Sequence, residues 1–386
     1  MKSLLLVLLL LSIGANAQQI LQGRVIDGET KQPLEGARAF ISNTTYQTIT
    51  NADGKFYVQT PSSNYKLGIS YIGYESKVIP SEMLVGDGNV FVFELFTQTE
   101  SLDAVTIMSP EERRNLQRLF TNLFLGTSAN AEDARILNID DVIFNADKEN
   151  GVVEATCDVP LIIENPNLNY RITFLLSYFT YRQSSRLSSY LGYPSFEELK
   201  PLEGKAQKRV DNNREKAYYG SAMHFFRSVY TNTTQEEKFR MLSFKHIPNP
   251  KYPGDEVRDQ VLKEAREMKD FYYYRQLPPK NLVEWNQRDT YAVDITLIEG
   301  DSKFLYIRDY LAIQYSGEKP ESNYYNNHHA PPGQSSQKSE IFSHKQGIEI
   351  FPDGNISDPD ALIFHGYMGW EKVADMLPFD YKVQQE

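Results

Sequence analysis

Few side chains in this sequence are suited to chemistry, and they are widely scattered. Ser221 and His224 lie three apart within Ala217 to Tyr230, where Tyr218, Ala222, Phe225 and Val229 share one helical face. One turn would bring hydroxyl and imidazole together. A nucleophile with its base also needs a third group to orient the imidazole, and an oxyanion hole. The sequence offers neither at a recognisable place, so the pair reads as a helix-surface serine beside a hydrogen-bonded histidine. His328-His329, His344 and His365 would have to gather around a metal, but adjacent histidines on a loop point differently and no Asp, Glu or Cys has ligand-like spacing. Asp140-Asp141 and Glu197-Glu198 read as solvated carboxylates, since a general acid and its base must flank a cleft.

Cys157 is the only cysteine. Val153, Ala155 and Val159 alternate around it with polar residues, the pattern of a half-buried strand. A structural thiol is expected there, because a nucleophilic one needs an electropositive, accessible setting. Tyr272-Tyr273-Tyr274 and Tyr324-Tyr325 could stack on sugar rings or peptide, although tyrosine is also a favoured strand residue with an amphipathic ring. Walker loops, dinucleotide fingerprints, zincin helices, nucleophile elbows and EF-hand loops do not occur. No catalytic, cofactor-binding or metal-ligating residue is assigned, and no cofactor is expected.

The elements that would position such groups begin after a leader. Met1-Lys2, the apolar run Leu4 to Leu11 and Ala15-Asn16-Ala17 form a secretory signal, with cleavage expected after Ala17. Its apolar stretch is shorter than the roughly 20 residues that span a bilayer. The chain of 386 residues carries a net charge of −11, which becomes −12 on loss of Lys2. An acidic surface argues against nucleic acid and against anionic lipid headgroups. A single cysteine leaves stability to burial rather than to disulfides.

From Ile20 to about Phe96 the apolar period is two. Leu21, Gly23 and Val25 share one face, as do Ala37, Ala39 and Ile41. Asp53-Gly54 is the strongest hairpin signal, between Tyr46 to Thr50 and Lys55 to Gln59. About seven short strands in so short a stretch can bury themselves only as two stacked sheets. The strings Gly23-Arg24-Val25-Ile26-Asp27, Pro33-Leu34-Glu35-Gly36-Ala37, Thr50-Asn51-Ala52-Asp53-Gly54-Lys55-Phe56 and Ser70-Tyr71-Ile72-Gly73-Tyr74 together resemble the carboxypeptidase regulatory-like domain. Ser101 to Thr106 resembles the short strand that often closes it. The resemblance implies a transthyretin-like sandwich common in Bacteroidetes-type envelope proteins, an accessory fold without catalytic residues that often precedes a TonB-dependent barrel. The remaining 280 or so residues are too few for a plug and a 22-stranded barrel.

Ser109-Pro110-Glu111-Glu112 predicts a capped helix start. Leu116, Leu119, Phe120, Leu123 and Phe124 then form one stripe, expected to face the second domain's core, and Gly126 supplies the stop. Strands are expected at Val152 to Val159, Leu161 to Glu164, Asn169 to Arg182, Phe304 to Tyr315, Ile341 to Ile350 and Ala361 to Phe364. Asp255 to Lys269 predicts a charged helix, and Ser316 to Gln337 a loop that buries little. Pro160 to Asn165, Ala217 to Ser221 and Trp370 to Pro378 resemble a Bacteroidetes envelope family that pairs the module with a C-terminal region, and that family carries no assigned activity.

The expected organisation is therefore a signal peptide (1–17), a regulatory-like β-sandwich (18–107), a connecting amphipathic helix (108–127) and an α+β domain (128–386), mainly β with antiparallel sheets. The expected role is that of an exported, non-catalytic envelope protein, periplasmic or outer-membrane-associated. Its β-sandwich would be a rigid adaptor whose loops or sheet edges meet an envelope protein or glycan, without nucleic acid and with at most indirect membrane contact. The alternatives are a periplasmic hydrolase, which would show a carboxylate pair or a Ser-His contact in one pocket, and a small outer-membrane barrel of eight or more strands.

Overall fold

The computed structural model describes residues 19–61, 64–84, 90–98, 108–328 and 333–383. The leader and the strand expected at Ser101 to Thr106 lie outside them. The described chain is mainly β with several helices, built from sheets that are antiparallel but for one parallel strand pair, around three hydrophobic cores.

The first core is a sandwich. Strands β1 (Gln19–Asp27), β4 (Lys55–Thr60) and β7 (Phe91–Leu95) form one sheet in the order β4-β1-β7. Strands β2 (Arg38–Ile41), β3 (Gln47–Ile49), β5 (Lys66–Ser70) and β6 (Lys77–Pro80) form the other, in the order β3-β2-β5-β6. Period two does the sorting. Val25, Phe56, Val58 and Phe93 point inward from the first sheet and meet Ala39, Ile41, Leu67 and Ile69. The Asp53-Gly54 turn forms with Gly54 at φ +75°, where a side chain would be strained. Its flanking strands do not pair with each other, however. β3 pairs with β2 and β4 with β1, so the expected hairpin is a crossover between layers. The chain changes sheet there because Phe56 and Val58 are needed opposite the second layer.

Helix α1 (Pro110–Phe124) starts as predicted, with Ser109 Oγ accepting from the Glu112 N–H at 3.2 Å. It lies on a six-stranded sheet of β8 (Arg135–Ile136), β9 (Ile143–Asp147), β10 (Val152–Thr156), β11 (Leu161–Asn165), β12 (Tyr170–Arg182) and β13 (Leu187–Glu198). β13 runs antiparallel along all of β12, while β11 and β10 share its other edge, one beside each half. Phe120 meets Phe144 and Phe179 edge-on, and Phe124 does the same to Phe174 and Tyr190. The stripe of α1 thus belongs to the second core.

The helix expected over Ala217 to Tyr230 is two helices, α2 (Gly204–Tyr218) and α3 (Ala222–Thr231). The chain breaks at Gly220, φ +87°, where a Cβ would come within 2.1 Å of Gln337 Oε1. α3 covers the third core, placing Phe225 and Val229 against Met241, Ile313 and Ile341. Its sheet joins β14 (Phe239–Pro248), β15 (Asn281–Trp285), β18 (Tyr310–Tyr315), β19 (Gln337–Ser343) and β21 (Leu362–Gly366) in the order β15-β14-β18-β19-β21. A small sheet of β16 (Thr296–Glu299), β17 (Ser302–Leu305) and β20 (Ile348–Ile350) lies beside it.

Three sequence expectations change here. Phe304 to Tyr315 and Ile341 to Ile350 each divide between two sheets, because Ile307 and Ile348 are both buried in this core and the chain turns to place them. Ser316 to Gln337 is not purely a loop: it holds helix α6 (Ser322–His328), with Tyr324 packed on Tyr367 and Trp370 of helix α7 (Tyr367–Trp370). The charged helix, α4 (Asp255–Met268), forms and buries only Ala265; the short α5 (Tyr272–Gln276) follows it. Among the described residues no helix is long and apolar enough to cross a membrane, and the largest sheet has six strands.

Candidate functional site

The Ser221 hydroxyl donates to the Tyr218 carbonyl at 2.7 Å and caps α3 by accepting from the His224 N–H at 3.2 Å. The His224 ring turns away from it. Its Nδ1 accepts from the Gly220 N–H at 3.1 Å, which places the ring proton on Nε2, donating to Glu237 at 3.0 Å. His224 is buried, and burial holds its imidazole below the ordinary value of 6.5, against the pull of Glu237. The two residues build a helix start rather than a nucleophile and its base.

The paired acids separate in the same way. Neighbours on a strand point to opposite faces, so Glu197 pairs with Arg171 at 3.3 Å while Glu198 pairs with the buried Arg214 at 3.0 Å. Asp140 accepts from Gln117 and Asp141 from Asn138. The Cys157 thiol is half-buried, and desolvation pushes it up to about 11, far from a reactive thiolate. Among the described residues no three His, Cys, Asp or Glu side chains converge as metal ligands. His344 sits beside Phe342 and His365 on β21; His329 lies outside the described residues. Tyr272 and Tyr273 stand exposed on α5.

The arrangement best suited to binding is the outer face of the five-stranded sheet, opposite the third core. Its register lines side chains into rows. Trp285, Phe244, Tyr310 and Phe342 are successive cross-strand neighbours, with ring centroids 4.7, 5.1 and 4.8 Å apart. The next row outward is Leu242, Ala312, Glu340 and His365, and the one after it Arg240, Gln314 and Lys338. Over these polar rows lies a groove of about 460 Å³, lined by Trp285 from β15 and by Tyr324 from α6. Arg240 is held flat by a fork of contacts to Asp289, the shortest 2.8 Å, and Gln314 by Ser336 at 2.8 Å. Of this set the sequence singled out Tyr324 and His365. Arg240, Gln314, Lys338 and Glu340 are the outward partners of buried Met241, Ile313 and Ile341, so alternation was the signal that could have found them. Trp285 gave none, because every residue of β15 is exposed.

The sandwich is fixed to this body through one of its sheets. Arg38 donates to Thr173 at 3.0 Å, Asn43 N–H to the Pro194 carbonyl at 2.6 Å, and Phe379 N–H to the Asn43 carbonyl at 2.6 Å. Thr45 bonds Asp380 twice, through its N–H at 2.9 Å and its hydroxyl. The other sheet leaves Ile20, Tyr57 and Val92 more than half exposed.

Comparison with known proteins bears on the sandwich. A TonB-dependent receptor, SusC of Bacteroides thetaiotaomicron, is 33% identical over 98 residues, which is 25% of this chain and 9% of that receptor. A crystal structure of a Bacteroides fragilis protein, described as membrane-associated and of unknown function, aligns over 91% of this chain and 94% of its own. With 8% identity and a TM-score of 0.16, that likeness is too slight to carry an argument. Residues 21–107 match the family model of the CarboxypepD_reg-like domain, and the sandwich at the head of this chain is a domain of that family.

Proposed function

We propose that this chain is an exported, non-catalytic protein of the cell envelope that binds a glycan in the groove on its five-stranded sheet, with the sandwich as a rigid mount. The leader and the domain shared with a TonB-dependent receptor support the location. The observation that carries the binding reading is the groove itself. Aromatic rings stand at its margin, and side chains held in place by Asp289 and Ser336 line its floor. Sugar rings need this combination, an apolar aromatic face for their C–H bonds and a few placed polar groups for their hydroxyls. The free outer sheet of the sandwich, with Ile20, Tyr57 and Val92 exposed, is the surface left for an envelope partner.

The test is equilibrium binding to a panel of neutral and acidic oligosaccharides, read by titration calorimetry. Trp285→Ala is expected to weaken binding about tenfold or more, in line with ~1.4 kcal/mol per decade, while leaving the melting midpoint in place. Binding that ignores Trp285→Ala and Arg240→Ala, or cleavage of the bound sugar, overturns the proposal.

A further inference from the structure

A second cavity, of about 320 Å³, lies where the two cores of the body meet the Asn43 loop of the sandwich. Its walls are chiefly apolar: Phe174 and Tyr190 from the six-stranded sheet, Met223 and Phe226 from α3, Met368 and Met376 from the C-terminal segment. Into it faces Glu371, immediately after α7. Among the described residues nothing hydrogen-bonds or ion-pairs with its carboxyl group. Its neighbour Asp375 is fully committed, accepting from Ser128 at 2.7 Å, Asn130 at 3.1 Å and the Lys372 N–H at 3.3 Å. Glu371 is half-buried, and its unpaired carboxyl group opens onto the cavity, where a group of opposite charge would meet it.

Carboxyl groups predominate around it. Burial, then Asp375, Glu321 and Glu318, hold Glu371 well above the ordinary carboxylate range. Asp375 is itself pushed up to about 6 and Glu318 to about 7, both chiefly by burial. Glu321 is raised by burial too and accepts from the Ala129 N–H at 2.9 Å. Burial also pushes the Tyr190 and Tyr367 phenols up, so they stay protonated. Lys372 is the one cation lining the cavity among the described residues; it forms no ion pair, and desolvation lowers its ammonium.

We propose that this cavity is a binding site for a small organic amine, its ammonium group on Glu371 and its alkyl or aryl body between Phe174, Phe226 and the methionines. The volume lies at the small end of ligand sites, the rings can face a cation, and methionine adapts to the shape of an apolar body. A metal ion is not the fit, since one free carboxylate does not supply the several oxygen ligands a hard cation takes. The exchange balances: burial raises the Glu371 carboxyl and an ammonium partner lowers it, so any proton the carboxyl holds passes to solvent as the ammonium arrives, and the product is a carboxylate–ammonium pair. Binding therefore releases protons and weakens as pH falls.

This site is independent of the groove, and its test leaves the groove untouched. Phenethylamine and hexylamine, with phenylacetate and hexanoate as counterparts of like size, are titrated calorimetrically into the full chain in buffers of different ionisation enthalpy near pH 7. The amines should bind with net proton release and the acids should not. Glu371→Gln should weaken amine binding at least tenfold and abolish the proton release without lowering the melting midpoint. Ala222→Leu, which narrows the cavity and keeps the carboxyl group, should also lose binding. The proposal is overturned if neither amine binds, if the acids bind equally well, or if Glu371→Gln binds like the parent chain.

Discussion

His224 shows how one side chain can look catalytic and be structural. Both its ring nitrogens are engaged, one by the Gly220 N–H that the helix break leaves over, the other by Glu237. The imidazole thus serves as a cap across the α2–α3 junction, in line with the need of every buried backbone donor for a partner. Its folded value lies below 6.5 because burial disfavours the charged ring. As pH falls through about 6.5 the unfolded chain takes up the proton first, so stability conferred by the neutral ring is lost on acidification. His224→Gln is expected to lower the melting midpoint at pH 8 and to flatten its decline between pH 7 and 5.5. A parallel decline in both proteins, followed by thermal melts across that range, would refute this assignment. Spacing placed Ser221 and His224 one turn apart, but only the break at Gly220 turned the imidazole away from the hydroxyl.

Among the elements, α1 was the most legible. Its Ser109 cap, its proline at the first turn and its stripe of Leu116, Phe120 and Phe124 are local properties of the chain, and the structure keeps all of them. What faces the stripe is not local: Phe144 comes from β9, and Phe174 and Phe179 from β12. Phe120 is wholly buried among them, so Phe120→Ala is expected to cost ~3–5 kcal/mol, measured by urea denaturation. A cost under ~1 kcal/mol would mean that α1 does not hold the six-stranded sheet. Strands read less well than this helix. Period two shows that Phe304 to Tyr315 is extended, yet it does not reveal that β17 and β18 pair with different partners. β15 is exposed along its whole length and carries no alternation to read.

At the scale of the molecule, the joint between sandwich and body decides whether the mount is rigid. Asp380, near the end of the described chain, reaches Thr45 across 335 positions, and Arg38 reaches Thr173 across 135. Hydrogen bonds of this kind contribute ~0.5–1.5 kcal/mol each, more when one partner is charged. Removing both with Arg38→Ala and Asp380→Ala should split thermal unfolding into two transitions, the sandwich melting separately from the body. Calorimetry checks this, and a single unshifted transition in the double variant would show that the joint rests on other contacts. The same long-range closure builds the cavity at Glu371, whose walls come from segments as distant as Asn43 and Phe379.

By itself the amino-acid order determined the sandwich, its family resemblance, the helix that follows it and the mainly antiparallel character of the rest. These rest on periodicity, capping and turn chemistry, which act over a few residues and leave their mark in the local pattern. The groove and the carboxyl-bearing cavity were decided only by tertiary structure. Arg240, Trp285 and Glu340 stand on three strands, and Glu371 meets Phe174 and Phe226 only once the chain closes on itself. No local period encodes which strand becomes whose neighbour. That choice belongs to the burial of whole faces against one another.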